Sequence, residues 1–131
     1  MTSYLESSPA YLCGRLLAVL EEAQQLSHWI RARQRLKTTI VQRFCGTASM
    51  APAATFGRLL SLATTAHLPD AGGELNRLTE EIMSRLKEVG GFPKALNADQ
   101  QEEFHLGFFS QRTKLRAPRG QKRQTENEEE V

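Results

Sequence analysis

Six cations, Arg31, Arg33, Arg35, Lys37, Arg43 and Arg58, lie between Glu22 and Asp70, and no carboxylate stands among them. Cations without anionic neighbours suit one kind of chemistry, contact with phosphate. Each Lys or Arg placed on a phosphate releases condensed counterions, so an unquenched stripe attracts a polyanion without reading its sequence. The plainer reading is a solvated helical face whose acidic partners sit elsewhere in the fold. Trp29, Phe44 and Phe56 are interleaved with the cations, a setting in which aromatic rings can stack on unpaired bases. Periodicity places Phe56 in the core and Phe44 with it, and leaves Trp29 ambiguous. Contact with the phosphate backbone is therefore the expected mode.

Bond-making chemistry finds no comparable constellation. Glu21-Glu22, Glu80-Glu81 and Glu102-Glu103 are adjacent carboxylates, but neighbours on a helix point ~100° apart and do not converge as an acid–base dyad. They read as solvated faces. His28, His67 and His105 fall on three different helices without metal-ligand spacing. Cys13 and Cys45 belong to no CxxC or Cys/His cluster, which argues against zinc and for free thiols in a reducing compartment. There is no GxSxG elbow and no glycine loop spaced to cradle phosphate. The expectation is a chain with no catalytic residues, no metal and no cofactor, and thus not an enzyme.

The elements that must position the cations are helices. The chain has 131 residues, enough for one domain with a real core, and its 40% hydrophobic content is ordinary for a soluble protein. No apolar run reaches the ~18 residues of a membrane span. Met1-Thr2-Ser3-Tyr4 also lacks the features of a signal peptide. A cytoplasmic protein with no membrane partner is expected.

Ser8-Pro9 opens a helix along which Leu12, Leu16, Val19, Leu20, Ala23, Leu26 and Ile30 form an apolar stripe. A second, shorter helix is expected from Leu36 to Phe44, stopping at Gly46. Pro52 fits only the first turn of a third helix, which carries Phe56, Leu59, Leu60, Ala63 and Ala66 and ends near Leu68-Pro69. A fourth carries Leu75, Leu78, Ile82, Leu86 and Val89 up to Gly90-Gly91. Asn97 with Gln100 resembles a capping box and starts a fifth, with Phe104, Phe108 and Leu115 on one face. Strand signals are absent. The fold class read from these residues is all-α, a single bundle of about five helices over residues 1–116.

The net charge of +2 conceals a partition. After the basic centre, Asp70 to Glu103 holds eight acids against four bases. A second acid-free basic run, Arg112 to Arg123, precedes an acidic end at Glu126–Glu130. From residue 117 onward no large apolar residue appears before Val131, so residues 117–131 are expected to form a disordered charged tail.

Three stretches also resemble a known family. The first is Ala10 to Gln24, with Tyr11-Leu12-Cys13-Gly14-Arg15-Leu16-Leu17. The second is Ile40 to Leu62, with Arg43-Phe44-Cys45-Gly46-Thr47-Ala48-Ser49, Pro52-Ala53 and Phe56-Gly57-Arg58-Leu59-Leu60. The third is Gln101 to Arg112, with Phe104-His105-Leu106-Gly107-Phe108-Phe109. In order and spacing they resemble the C-terminal region of the large subunit of the type I-C CRISPR Cascade complex. Cys45 stands where an aromatic is common in that family, Phe108-Phe109 where tyrosines are, and Thr64-Thr65-Ala66-His67 replaces a more His-rich stretch.

The resemblance implies a separate small subunit made from an internal start of the same gene, with Met1 just ahead of the first motif. It further implies a helical bundle present in more than one copy, among the backbone and large subunits of an RNA-guided surveillance complex. There the bundle would support the heteroduplex of guide RNA and target DNA strand, together with the displaced non-target DNA strand. It would neither read the protospacer-adjacent motif nor cut DNA. In such systems base pairing reads sequence and the protein stabilises backbones. Arg43 and Arg58 are the first candidates for phosphate contact, because they match family positions within the acid-free stretch. Arg31, Arg33, Arg35 and Lys37 follow, and Arg15 could equally pair with an acid on another helix. The alternative from a different class is a protein-only scaffold whose cations meet acidic faces of neighbouring subunits.

Overall fold

The computed structural model describes residues 5–33 and 39–116, the side chains of Ile40 and Val41 excepted. A 3₁₀ turn, Leu5–Ser7, leads into α1 (Pro9–Ala32). Ser8 caps this helix. Its hydroxyl accepts from the Tyr11 amide at 3.4 Å and donates to Glu103 Oε2 at 2.6 Å. Pro9 sits in the first turn, where its missing N–H leaves no bond unmade.

The apolar stripe predicts a one-sided helix, and the structure differs. From Ala10 to Leu20 every residue is buried except Arg15, which is half-buried. A helix surrounded by apolar contacts belongs at the centre, and α1 touches every other helix of the bundle. Ile30, the last residue of the stripe, is exposed near the C-terminal end.

Helix α2 (Ile40–Met50) starts on a capping box. The Thr39 hydroxyl accepts from the Gln42 amide, and the Gln42 side chain accepts from the Thr39 amide, both at 2.9 Å. The expected stop at Gly46 does not occur, and the helix runs on to Met50. Gly46 is exposed and nothing lies near its missing Cβ. A glycine on a solvated helix face weakens the helix without ending it. Leu36, the expected start, lies outside the described residues.

Helix α3 (Pro52–Leu62) follows after Ala51 alone. It does not stop at Leu68-Pro69: a wider π turn, Ala63–His67, carries the chain into α4 (Leu68–Ala71). Pro69 offers no N–H, and its ring crowds the carbonyl four residues back, which a widened turn relieves. Thr65 donates to the Ser61 carbonyl at 3.0 Å and Thr64 to that of Leu60, competing with the helical ladder at the same place.

Gly72 (φ 86°) turns the chain into α5 (Gly73–Glu88), which exits through Gly90 and Gly91 at φ 103° and 88°. Asn97 and Gln100 then exchange reciprocal 2.9 Å bonds to open α6 (Ala98–Arg116). Among the described residues the protein is all-α, with five helices of eleven residues or more, the short α4 and no strand. Leu12, Leu16, Leu17 and Leu20 of α1 are fully buried, as are Phe56, Ile82, Leu86 and Phe104 from α3, α5 and α6. No helix among the described residues is long and apolar enough to cross a membrane. The expected disordered tail, 117–131, lies outside the described residues.

Candidate nucleic-acid interface

The junction of α2 and α3 is stitched to the body of the bundle by the segment after α5. Leu96 donates its amide to the Met50 carbonyl and Ala53 donates to that of Pro93, each at 3.0 Å. The Phe92 ring stacks on the fully buried Phe56 at 5.1 Å between centroids. Ala48, Ser49, Thr55, Phe56 and Leu59 turn inward, and Arg43 and Arg58 are exposed on consecutive helices. Among the described residues no carboxylate pairs with either guanidinium. Both are thus free to offer their planar donors to phosphate oxygens.

Arg31 is different. Its Nη2 and Nε lie 2.7 and 2.9 Å from Asp70 Oδ2, which also accepts from the Ser27 hydroxyl at 3.2 Å. The acid-free stretch in the sequence is therefore not free of acids in space. Asp70 sits on α4, which folds back against α1 and returns a carboxylate to the end of that helix. Arg33 is exposed and caps α1 in a left-handed conformation (φ 57°), its amide donating to the Trp29 carbonyl at 2.8 Å. Arg35 and Lys37 lie outside the described residues.

The aromatics separate as their periodicity suggests. Phe56 is fully buried and Phe44 is half-buried against the core, while Trp29 is 46% exposed. Arg15 is held by a neutral partner, its Nε donating to Gln111 Oε1 of α6 at 2.9 Å.

Glu21 departs furthest from expectation. Its side chain is 4% exposed and pairs with Arg116 Nη2 at 2.8 Å, while Glu22 lies 3.7 Å from Arg116 Nε. The available signal is helical register, because Glu21 shares a face with Gly14 and Leu17. Arg112 lies over the Phe108 ring at 5.8 Å, a cation–π contact between successive turns of α6.

Two thiols and one imidazole are displaced from their ordinary ionisation. Burial pushes Cys13 up to about 12 and raises Cys45 as well. His67, in the π turn, is lowered by burial and by Arg31, with Asp70 opposing, and its Nε2 makes no hydrogen bond among the described residues. No three His, Cys, Asp or Glu side chains converge among the described residues. A groove of about 740 Å³ beside the end of α5 is lined by Met83, Leu86 and Phe92, with Glu80 and Lys87 as its ionisable groups. Its charges are opposite in sign and give no preference for an anion. The described cations of α2 and α3 are thus two, Arg43 and Arg58, both exposed and without a carboxylate partner among the described residues.

The sequence model of a CRISPR-associated protein family, Cas_Csd1, matches residues 4–116, a span that takes in every described helix. No curated protein matches the chain.

Proposed function

The chain belongs to the Cas_Csd1 family of CRISPR-associated proteins, and from that premise we propose that it is a non-catalytic small subunit of an RNA-guided surveillance complex of type I-C. In this reading it stabilises the guide RNA–target heteroduplex and the displaced DNA strand through sequence-independent backbone contacts. The observation that carries the proposal is the pair Arg43 and Arg58, exposed, unpaired with any described carboxylate, and inside the span that the family matches. Strand exchange between duplex DNA and a guide heteroduplex is nearly balanced, so a few protein–phosphate contacts decide its direction. Nuclease and ATPase chemistry belong to other components, and the subunit's effect on duplex opening appears only in the assembly, while its phosphate contacts to a single strand are made by the chain itself.

A protein-only scaffold is the second reading. It is favoured by Met50, Leu106 and Phe109, large apolar side chains more than half exposed and suited to neighbouring subunits. Complexes assembled with and without this chain separate the two. The proposed role predicts normal guide-RNA loading but a shorter lifetime of the opened duplex when the chain is absent. An unchanged lifetime, with weakened assembly, would favour the scaffold.

A further inference from the structure

We propose that Trp29 is a stacking platform for one unpaired base of single-stranded nucleic acid, with Arg33 taking an adjoining phosphate. The inference rests on the nucleic-acid reading above and deepens it from phosphate contact to a base site. Trp29 is the chain's one tryptophan and stands 46% exposed near the end of the central helix. Among the described residues no aromatic ring stacks on it and no guanidinium covers it. The nearby Arg31 is held by Asp70, so it does not occupy the indole face.

A groove of about 290 Å³ flanks the indole, with Leu26 as its apolar wall and Gln25 and Glu22 at its rim. Glu22 is drawn toward Arg116, 3.7 Å away, so its charge is not left alone to repel a strand. Arg33 lies immediately beyond. Its amide is tied to the Trp29 carbonyl at 2.8 Å, and its backbone holds a left-handed conformation (φ 57°) that residues with a Cβ seldom adopt. The backbone that carries this cation is thereby held one helical turn beyond Trp29, within reach of a phosphate next to a base on the ring. A π face beside a cation matches a base and its phosphate, and it tolerates any sequence because every base has a π face. An apolar protein partner would use the indole but has no need of Arg33.

The single tryptophan makes the test direct. The full chain is titrated at low salt with a fluorophore-labelled 15-residue oligothymidylate and with an abasic strand of equal length. Strand anisotropy reports binding, and indole fluorescence reports stacking. The oligothymidylate is expected to quench Trp29, and the abasic strand to bind roughly 5- to 100-fold more weakly without quenching. Trp29→Ala should erase the difference between the strands while leaving the salt slope intact. Trp29→Phe should keep most of it, and melting curves of both variants confirm folding.

Equal binding and equal quenching by the two strands would overturn the stacking site and leave the phosphate-binding reading standing. Absence of binding by either strand would remove both together. A Trp29→Ala variant that changes sedimentation but keeps its preference for thymidylate would make this surface a protein contact, and the proposal would fail.

Discussion

Gly14 of α1 and Gly107 of α6 let two helices meet backbone to backbone. A Cβ on Gly14 would stand 1.9 Å from the Phe104 carbonyl oxygen, and one on Gly107 would stand 2.1 Å from that of Tyr11. Both obstacles are main chain and cannot swing aside as a long side chain would. The crossing joins the first and third family-like stretches, distant in sequence, into one contact, the most extensive between helices in the fold. It sets the depth at which α1 lies in the bundle.

Gly14→Ala should therefore destabilise the protein by about 3 kcal/mol, the upper range for overpacking, and lower its melting temperature by roughly 10 °C. Gly46→Ala supplies the contrast. Its site is open, solvated and interior to α2, so removing the glycine should stabilise by about 0.5–1 kcal/mol. Thermal unfolding followed by circular dichroism checks both. Equal melting of Gly14→Ala and wild type would contradict the close crossing.

The buried carboxylate of Glu21 depends on Arg116, the last residue of α6. Arg116→Ala should cost about 2–3 kcal/mol, because it strands a charge in the interior; its own one-third exposure keeps the effect below the ~3–5 kcal/mol of a fully buried pair. Adding Glu21→Gln should recover part of the loss. Asp70→Asn should cost less than about 1 kcal/mol, since the Arg31 side chain opposite is 64% exposed. Urea denaturation of these variants, and of Glu21→Gln alone, measures the ordering and the coupling. Additive losses for Arg116→Ala and Glu21→Gln would show that the two side chains do not act as a pair.

Local backbone chemistry was legible where a residue has one mechanical use. Ser8-Pro9, Pro52, Gly90-Gly91 and the Asn97–Gln100 box all mark helix ends in the structure. Gly46 misleads because exposed glycine is tolerated in a helix, and the better signal, Thr39 with Gln42, lay three residues apart just upstream. The π turn before Pro69 combines several weak local preferences that no single motif announces. At the candidate interface, exposure of Arg43 and Arg58 fits the one-sided character of their helices. The quenching of Arg31 by Asp70, and the burial of Glu21, arise only when distant helices meet. Charge along a chain and charge in space are different quantities.

His67 should make stability depend on pH. Burial and the Arg31 guanidinium favour its neutral imidazole in the fold, so the folded-state pKa is lowered. The unfolded chain then binds more protons near its ordinary value of about 6.5, and stability falls as pH drops through that value toward the depressed one. Wild-type protein should lose stability relative to His67→Gln on going from pH 7.5 to pH 5. Chemical denaturation at several pH values provides the comparison. A difference between the two that is flat with pH, or that grows in favour of wild type, would count against this account of the π turn.

The central claim, phosphate contact by Arg43 and Arg58, is tested most directly by the salt dependence of binding to single-stranded DNA. The Arg43→Ala/Arg58→Ala double variant should bind unrelated sequences with similarly reduced affinity. Its slope of log affinity against log salt should shrink in magnitude by about 1.4, at about 0.7 per phosphate contact on a single strand. Its melting temperature should stay close to wild type, because both side chains are exposed and unpaired with any described carboxylate. An unchanged slope, or a lost slope accompanied by a collapse of thermal stability, would contradict the claim.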